Sequence, residues 1–187
     1  AFWIDEYFKQ RERDLHNWAR RLARKDEWKK VPVRSICTIG FPAASVGETV
    51  ENDNVDLVVM GTTGATGLRG VFLGSVATGV IARTKIPVLV VPPKAIFKEK
   101  SKVVFATDFR IKLNESTLQV MRKLPQLEKG IMHVVHVIDK PGPTDTGHEA
   151  ALSQKLDKIK HDFHYLHDRD VPQAVMNFAE STDADML

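Results

Sequence analysis

The segment from Gly61 to Ser75 has the residue types and spacings that suit a phosphate group. Glycine has no Cβ, so Gly61, Gly64 and Gly74 let the main chain turn tightly and approach an anion closely. Gly74-Ser75 precedes a predicted helix, and brings backbone N–H groups, a hydroxyl and the positive end of the helix dipole to one place. The segment therefore predicts a phosphate-binding loop.

Two familiar phosphate-binding motifs do not fit this loop. A P-loop requires G-x-x-x-x-G-K-[ST], and the chain contains no Gly-Lys pair. A dinucleotide-binding fingerprint requires G-x-G-x-x-G, whereas the glycines here stand at 61, 64, 67 and 70.

The histidines offer a weaker case for chemistry. His133 and His136 lie three apart in a predicted strand, so they point to opposite faces and cannot jointly hold a metal. Three more histidines are spaced by three beside two aspartates, namely His161, His164, His167, Asp162 and Asp168. Helical spacing would gather the three, but the segment is typical of a strand and lacks a ligand motif. A solvated or partly buried set is favoured over a metal cluster.

Nucleophilic catalysis has little support. Cys37 is the single cysteine and lies in an apolar stretch with no surrounding motif, so a small core residue is favoured. No G-x-S-x-G elbow is present. The sequence therefore predicts a binding protein rather than a dedicated enzyme.

The elements that must position the loop alternate between strand and helix. Phe8, Leu15, Trp18 and Leu22 form an apolar stripe that predicts an amphipathic, core-packing first helix. The predicted elements of the first half are a helix over 1–29, a strand over 33–39, a helix over 43–51, a strand over 55–60, a helix over 75–83 and a strand over 88–91. The last two strands lack polar alternation, which predicts a parallel sheet covered on both faces.

After a polar linker at 94–101 the alternation restarts. The predicted elements of the second half are strands over 102–107, 131–138, 163–166 and 184–187, and helices over 113–127, 146–159 and 171–180. Residues 41–58 resemble 171–187, each a Pro-initiated helix before an Asp-led apolar strand. The sequence thus predicts an α/β fold, a parallel open sheet with helices on both faces, in two tandem and incomplete copies. The predicted domains are 1–93 and 102–187.

Composition limits the class of protein and its partners. Of 187 residues, 43% are hydrophobic and 27% charged, which is typical of a globular chain. The net charge of +3 arises from interleaved Lys, Arg, Asp and Glu, which argues against a nucleic-acid surface. The longest apolar runs are too short for a bilayer, and a lone thiol suits a reducing compartment, so a cytoplasmic location is expected. The first residues are neither an initiator Met nor a signal peptide, so the chain is expected to begin partway through a domain.

Residues 56–92 carry a specific resemblance to a known family. Gly61, Gly64, Gly74 and Ser75 fill every fixed position of G-x2-G-x9-G-[ST], the loop of nucleotide-binding universal stress proteins. The flanking strands, at 56–61 and 86–92, agree with the family, and 103–109 resembles its first strand. The chain is therefore similar to a tandem, nucleotide-binding universal stress protein, with an adenine nucleotide α-hydrolase-like Rossmann fold.

The resemblance implies roles for individual residues. It implies that Gly64, Gly74 and Ser75 contact the phosphates of ATP, ADP or AMP, with or without Mg²⁺, and that Gly61 shapes the turn. Met60 and Val76 are further candidates for nucleotide contact. Asp108 corresponds to the family's aspartate beside the adenine or ribose, and is either a contact in a second nucleotide site or a cap of the strand-to-helix turn.

Departures from the family leave both copies incomplete. The first lacks the opening strand, first helix and second strand, and the second stops before a glycine loop of its own; Arg110 stands where a small hydroxyl residue is common. The chain is expected to be a fragment or to lack segments.

The leading functional expectation is an ATP-binding stress-response protein with slow or no hydrolysis. The resemblance further implies domain pairing through residues 88–91, either within a tandem chain or in a homodimer. The interleaved charges and the short apolar runs predict no nucleic-acid or membrane partner. The alternatives are a nucleotide-free scaffold that uses the paired domains to bind proteins, and an ATP-using adenylating enzyme, for which the sequence offers no catalytic residues.

Overall fold

The computed structural model of the chain describes residues 2–62, 74–96, 98, 100–110, 113–124, 129–139 and 146–187. The chain divides into two compact units. The first comprises Ala1–Asn54 and Ser75–Thr84, and the second comprises Val55–Gly74 and Lys85–Leu187. The predicted domain boundary at residues 94–101 remains a prediction.

The first unit is helical where it has regular structure. Its elements are α1 (Phe2–Ala23), a 3-10 turn (Asp26–Trp28), α2 (Pro42–Asn52) and α3 (Ser75–Arg83). α2 opens on Pro42, whose fixed φ and missing N–H suit the first turn of a helix. α2 and α3 pack closely, because a Cβ added at Gly79 would lie 2.9 Å from the Cβ of Ala43.

The first helix is more exposed than its apolar stripe predicts. It ends at Ala23 rather than near residue 29. Phe8, Leu15 and Leu22 are half-buried, but Trp18 is 54% exposed, while the neighbouring Ala19 is buried. The expectation that Trp18 packs in a core is therefore wrong, since the helix turns the small Ala19 inward instead.

Residues 33–39 do not form the predicted strand. Val33, Ser35 and Cys37 are half-buried and alternate with exposed residues, which is the period-two exposure of an extended chain. This segment pairs with no strand in the described part of the chain. Strand propensity alone does not make a strand, because the backbone groups need a hydrogen-bonding neighbour.

The second unit contains two separate parallel pairings of strands. β1 (Val58–Gly61) pairs with β2 (Val88–Val91), from Val58 opposite Val88 to Gly61 opposite Val91. β1 is not buried on both faces as predicted, because Val59 is 59% exposed; β2 is half-buried, with Val91 exposed. A continuous apolar run is typical of a strand inside a wide parallel sheet that helices cover on both faces. The described part of this sheet has only two strands, which explains why β1 is more exposed than its sequence predicts.

A second sheet has the order β3-β4-β5 and is wholly parallel. Its strands are β3 (Lys102–Ala106), β4 (Ile131–Ile138) and β5 (His161–His167), and the helices between and after them are α4 (Glu115–Lys123), α5 (Thr146–Lys155) and α6 (Val171–Ser181). Asn114 caps α4, where its Oδ1 accepts the Thr117 N–H at 2.8 Å. The strand predicted at 131–138 is confirmed with its bounds, and the other predicted strands and helices up to residue 181 are confirmed with shifted bounds. Residues 125–127 of the predicted helix 113–127 lie outside the described residues.

The chain returns beside β3 after α6. Met186 forms a parallel bridge with Val103, and the Val104 N–H donates to the Met186 carbonyl at 2.8 Å. Asp185 accepts hydrogen bonds from the Lys98 ammonium and the Lys102 N–H, and these two donors lower its pKa. The predicted strand start at 184–187 is therefore observed as a bridge, and the local order along the sheet is Met186, β3, β4, β5.

Helices cover both faces of this sheet. On one face Val103, Met132 and Val134 pack with Leu118 of α4 and with Leu156, which follows α5. On the other face Val104 and Val135 pack with Val175 and Phe178 of α6. The predicted α/β class with a parallel sheet and helices on both faces is confirmed here, while the tandem duplication remains a prediction.

Candidate functional site

Thr62 and Gly74, which flank the undescribed part of the predicted phosphate loop, are hydrogen-bonded to each other. The Thr62 N–H donates to the Val91 carbonyl at 3.1 Å, which extends the β1–β2 pairing by one bond. The Thr62 carbonyl accepts the Gly74 N–H, also at 3.1 Å. Residues 62 and 74 are thus tied together at the carboxyl end of β1, the end at which open α/β sheets bind ligands.

The other predicted loop residues have the following places. Met60 is half-buried and Gly61 is exposed, both at the end of β1. Ser75 follows Gly74 directly, is exposed, and is the first residue of α3, as predicted; the exposed Val76 is the second. The first N–H groups of a helix have no acceptor within that helix, so they suit an anion. Gly64 lies outside the described residues, as do the rest of 63–73.

Asp108 caps a turn after β3. Its Oδ1 accepts the Arg110 N–H at 3.0 Å, and the intervening Phe109 has a φ of +60°. Short polar side chains commonly stabilise such turns by bonding the backbone two residues ahead. The turn-capping interpretation therefore has a structural basis, although the residue that caps α4 itself is Asn114. The predicted nucleotide contact of Asp108 remains a prediction.

Asp108 nevertheless stands where a ligand would be expected. The chain proceeds outward from β3 to β4 and β5, and then returns to the opposite side of β3 at Met186. The order in which the chain adds strands to the sheet therefore reverses beside β3. In open α/β sheets, ligands usually bind in the crevice at such a reversal, outside the carboxyl ends of the strands. Asp108 is exposed and lies just beyond that end of β3.

An aromatic group that the sequence did not single out follows Asp108. The Phe109 ring lies 4.9 Å from the His136 ring and 6.4 Å from the Tyr165 ring, between centroids. His136 Nδ1 lies 2.9 Å from the Thr107 carbonyl oxygen. Tyr165 donates to Glu149, and burial, followed by this hydrogen bond and the carboxylate charge, raises the pKa of Tyr165 to about 12. The parallel register, which sets His136 opposite Tyr165, is the signal that could have found this group.

The histidine predictions are partly corrected. His133 and His136 do lie on opposite faces of β4, since His133 is opposite Asp162 and His136 opposite Tyr165 on β5. His161 and His164 are half-buried and His167 is exposed, as expected. However, His164 joins His133 and Asp162 on one face. Spacing along one strand could not reveal a cluster that forms across two strands.

No helix in the described part of the chain is long and apolar enough to cross a membrane.

The first half of the chain is similar in sequence to known proteins. Residues 3–92 match the Universal stress protein family, and this range includes the glycine loop but is just under half of the chain. A universal stress protein of Methanocaldococcus jannaschii is 40% identical over 88 residues, which are 47% of this chain and 50% of that protein. Another from the same organism is 39% identical over 62 residues, 33% of this chain and 38% of that protein.

A third relative and one solved structure extend the comparison. A universal stress protein of Synechocystis is 30% identical over 88 residues, which are 47% of this chain and 57% of that protein. The crystal structure of a universal stress protein from Archaeoglobus fulgidus superimposes with a TM-score of 0.70 at 21% identity, covering 97% of this chain and 68% of that one. This shows a shared fold. The matched segment spans about half the length of the two curated relatives that match over 88 residues. Over that segment the chain is similar to members of the universal stress protein family.

Proposed function

We propose that this chain is part of a universal stress protein that binds ATP, in which nucleotide occupancy stabilises or alters an assembly in the stress response. The observation that carries the proposal is the closure at Thr62, because the family's glycine motif is joined at its base to the carboxyl end of a parallel strand. The family match over residues 3–92 supports the same conclusion.

The chemistry of the loop ends fits a nucleotide phosphate. The Gly74 N–H is engaged by Thr62, so its proposed part is to hold the loop closed. As the family resemblance implies, the phosphates would bind the N–H groups of Ser75 and Val76 and the Ser75 hydroxyl, and Met60, Gly61 and Gly64 are further proposed contacts. Both α3 residues are exposed at the helix start, where the dipole favours negative charge.

Slow or absent hydrolysis is part of the proposal. Efficient phosphoryl transfer requires a positioned base and cations around the γ-phosphate. The motif supplies backbone and hydroxyl donors, but it has no lysine beside its last glycine. Bound nucleotide would therefore act as a structural ligand that favours one assembly state through its own binding free energy.

The tandem organisation is proposed from a recurrent local structure. α2 and α6 each carry Pro in the first turn. Each helix is followed by a residue in the left-handed region, Asn54 with φ of 50° and Asp183 with φ of 52°. Each of these lies two residues before an aspartate, Asp56 or Asp185. Two copies of one unit would produce this coincidence, and pairing through β2, internally or in a homodimer, would follow as in the family.

A protein-binding scaffold remains the second candidate. The observation that favours it is the exposure of large apolar side chains in the first unit, among them Trp3, Ile39 and Phe41. Contiguous apolar surface commonly marks an interaction site, and the scaffold hypothesis requires these side chains to form such a surface with a partner. In that case the glycine loop would carry no nucleotide.

The test is calorimetric titration of ATP into the purified protein, with and without Mg²⁺. One site per chain is expected, and Gly64→Val with Ser75→Ala should abolish it, because a Cβ at 64 blocks the main-chain approach and the hydroxyl is lost. Ser181→Ala, the same change at the end of α6, serves as the matched control and should bind as the wild type. Absence of binding by folded wild-type protein would reject the nucleotide site in favour of the scaffold.

A further inference from the structure

We propose that His133, Asp162 and His164 form a binding site for a divalent transition-metal ion of the zinc class. The site lies on the face of the β3-β4-β5 sheet that α6 covers. It is independent of the proposed nucleotide site, since it shares no residue with the glycine loop or with Asp108.

The parallel register brings the three side chains together. His133 on β4 is directly opposite Asp162 on β5, so both point to the same face. His164 is two residues beyond Asp162 along β5 and therefore shares that face. His133 Nδ1 lies 2.8 Å from Asp162 Oδ1 and 3.1 Å from His164 Nε2, and the latter two atoms are 3.0 Å apart.

The three atoms are all possible metal ligands, and they lie within 3.1 Å of one another. An ionised carboxylate only accepts hydrogen bonds, and each imidazole nitrogen either donates or accepts. Without a metal, both N–H groups have to share the single oxygen Asp162 Oδ1, at 2.8 and 3.0 Å. A cation that accepts one lone pair from each of the three atoms would replace this shared hydrogen bonding.

The size of the triangle suits a small metal ion. Zinc binds imidazole nitrogen and carboxylate oxygen at about 2.0–2.1 Å, which separates tetrahedral ligands by roughly 3.3 Å. The three observed separations are a few tenths of an ångström shorter than that, so binding requires only slight movement of the side chains. Two imidazoles favour zinc, copper or nickel over magnesium and calcium, which prefer oxygen ligands.

The surroundings provide both support and access. The Phe178 ring of α6 packs against the ring of His164 at 4.7 Å and that of His133 at 6.0 Å, between centroids, which restricts both imidazoles. The His133 side chain is 14% exposed, whereas Asp162 is 44% exposed. An ion can therefore enter from the side of Asp162, and water can complete its coordination. Three protein ligands with an open position is the arrangement of zinc sites that bind an exchangeable ligand.

The test uses chelator-treated protein without a histidine tag, titrated with Zn²⁺ in competition with a chromophoric chelator. One Zn²⁺ per chain is expected, and His164→Gln and Asp162→Asn should each weaken binding at least tenfold. The control is His136→Gln, a histidine of the same strand that faces the other way, and it should bind as the wild type. Far-ultraviolet circular dichroism establishes that each variant is folded.

A second measurement uses Co²⁺, whose visible absorption reports coordination number and the presence of nitrogen ligands. The wild type should give a spectrum of four- or five-coordinate Co²⁺ that His164→Gln removes. Zn²⁺ should also raise the Tm of the wild type and of His136→Gln, but not that of His164→Gln. Equal Zn²⁺ affinity in His164→Gln and wild type, or no stoichiometric binding by the folded wild type, would overturn the proposal and leave a hydrogen-bonded cluster.

Discussion

At the scale of residues, Tyr165 links the pH of the solution to stability. Burial raises its pKa to about 12 from the usual 10, and the hydrogen bond to Glu149 and the charge of that carboxylate act in the same direction. A group whose pKa is higher in the folded state stabilises that state below its unfolded pKa. The contribution of Tyr165 is therefore complete below pH 10 and is lost as the pH rises from 10 to about 12.

The corresponding measurement is the ultraviolet absorbance of tyrosinate. The chain has two tyrosines, so Tyr7→Phe leaves Tyr165 as the only reporter. We expect its titration near pH 12, and expect Glu149→Gln to move the midpoint part of the way to the ordinary value, because burial remains. A midpoint near 10 in the folded Tyr7→Phe protein would contradict the observed contact.

A candidate site could be predicted from the sequence where its residues are neighbours along the chain, and not where strand pairing brings them together. Ser75 could be assigned to a helix start from Gly74-Ser75 alone, and the structure confirms it. For Asp108 the sequence left a turn cap and a nucleotide contact open, and the hydrogen bond from the Arg110 N–H to Asp108 shows the turn cap. By contrast, the group of His133, Asp162 and His164 depends on the register of two strands, which the spacing of residues along one segment does not encode.

At the scale of elements, the contact of α2 with α3 is limited by Gly79. A Cβ there would approach the Ala43 Cβ to 2.9 Å, closer than carbon atoms pack. Gly79→Ala should therefore lower the free energy of unfolding by about 1–2 kcal/mol despite the better helix propensity of alanine. Ala43→Gly in the same chain removes the clash.

Urea denaturation of the four proteins in this double-mutant cycle measures the effect. The two substitutions should be non-additive by about 1 kcal/mol or more, with the double variant more stable than the sum of the single changes implies. Additive effects would mean that the helices separate freely at this point.

Most elements followed from periodicity, and the two mispredicted strands share one cause. α3 has its predicted bounds, and β4 matches residues 131–138. The misjudged strands are residues 33–39, which have no strand partner among the described residues, and β1, which is exposed at Val59. In both cases the sequence is typical of a strand that lies between two neighbours in a wide sheet. The neighbouring strands that would complete such a sheet are not among the described strands.

At the scale of the whole molecule, the two proposed sites should act independently. The proposed nucleotide-binding motif lies within residues 61–75, and the metal cluster uses residues of β4 and β5. His164→Gln should therefore bind ATP with wild-type affinity, and Ser75→Ala should bind Zn²⁺ with wild-type affinity. Calorimetry of each variant with each ligand measures this. A change of tenfold or more in the unmodified site would show that the two are coupled.

The closure at Thr62 has a consequence for how such a protein could diversify. Thr62 and Gly74 are joined by a backbone hydrogen bond, while the register of β1 with β2 is set by other bonds. The entropy of closing a loop changes slowly with its length, so insertions or replacements between 62 and 74 would leave the strands almost unaffected. The residues between 62 and 74 could thus be replaced as a unit. The ligand preference would then change while the pairing of β1 with β2 stayed the same.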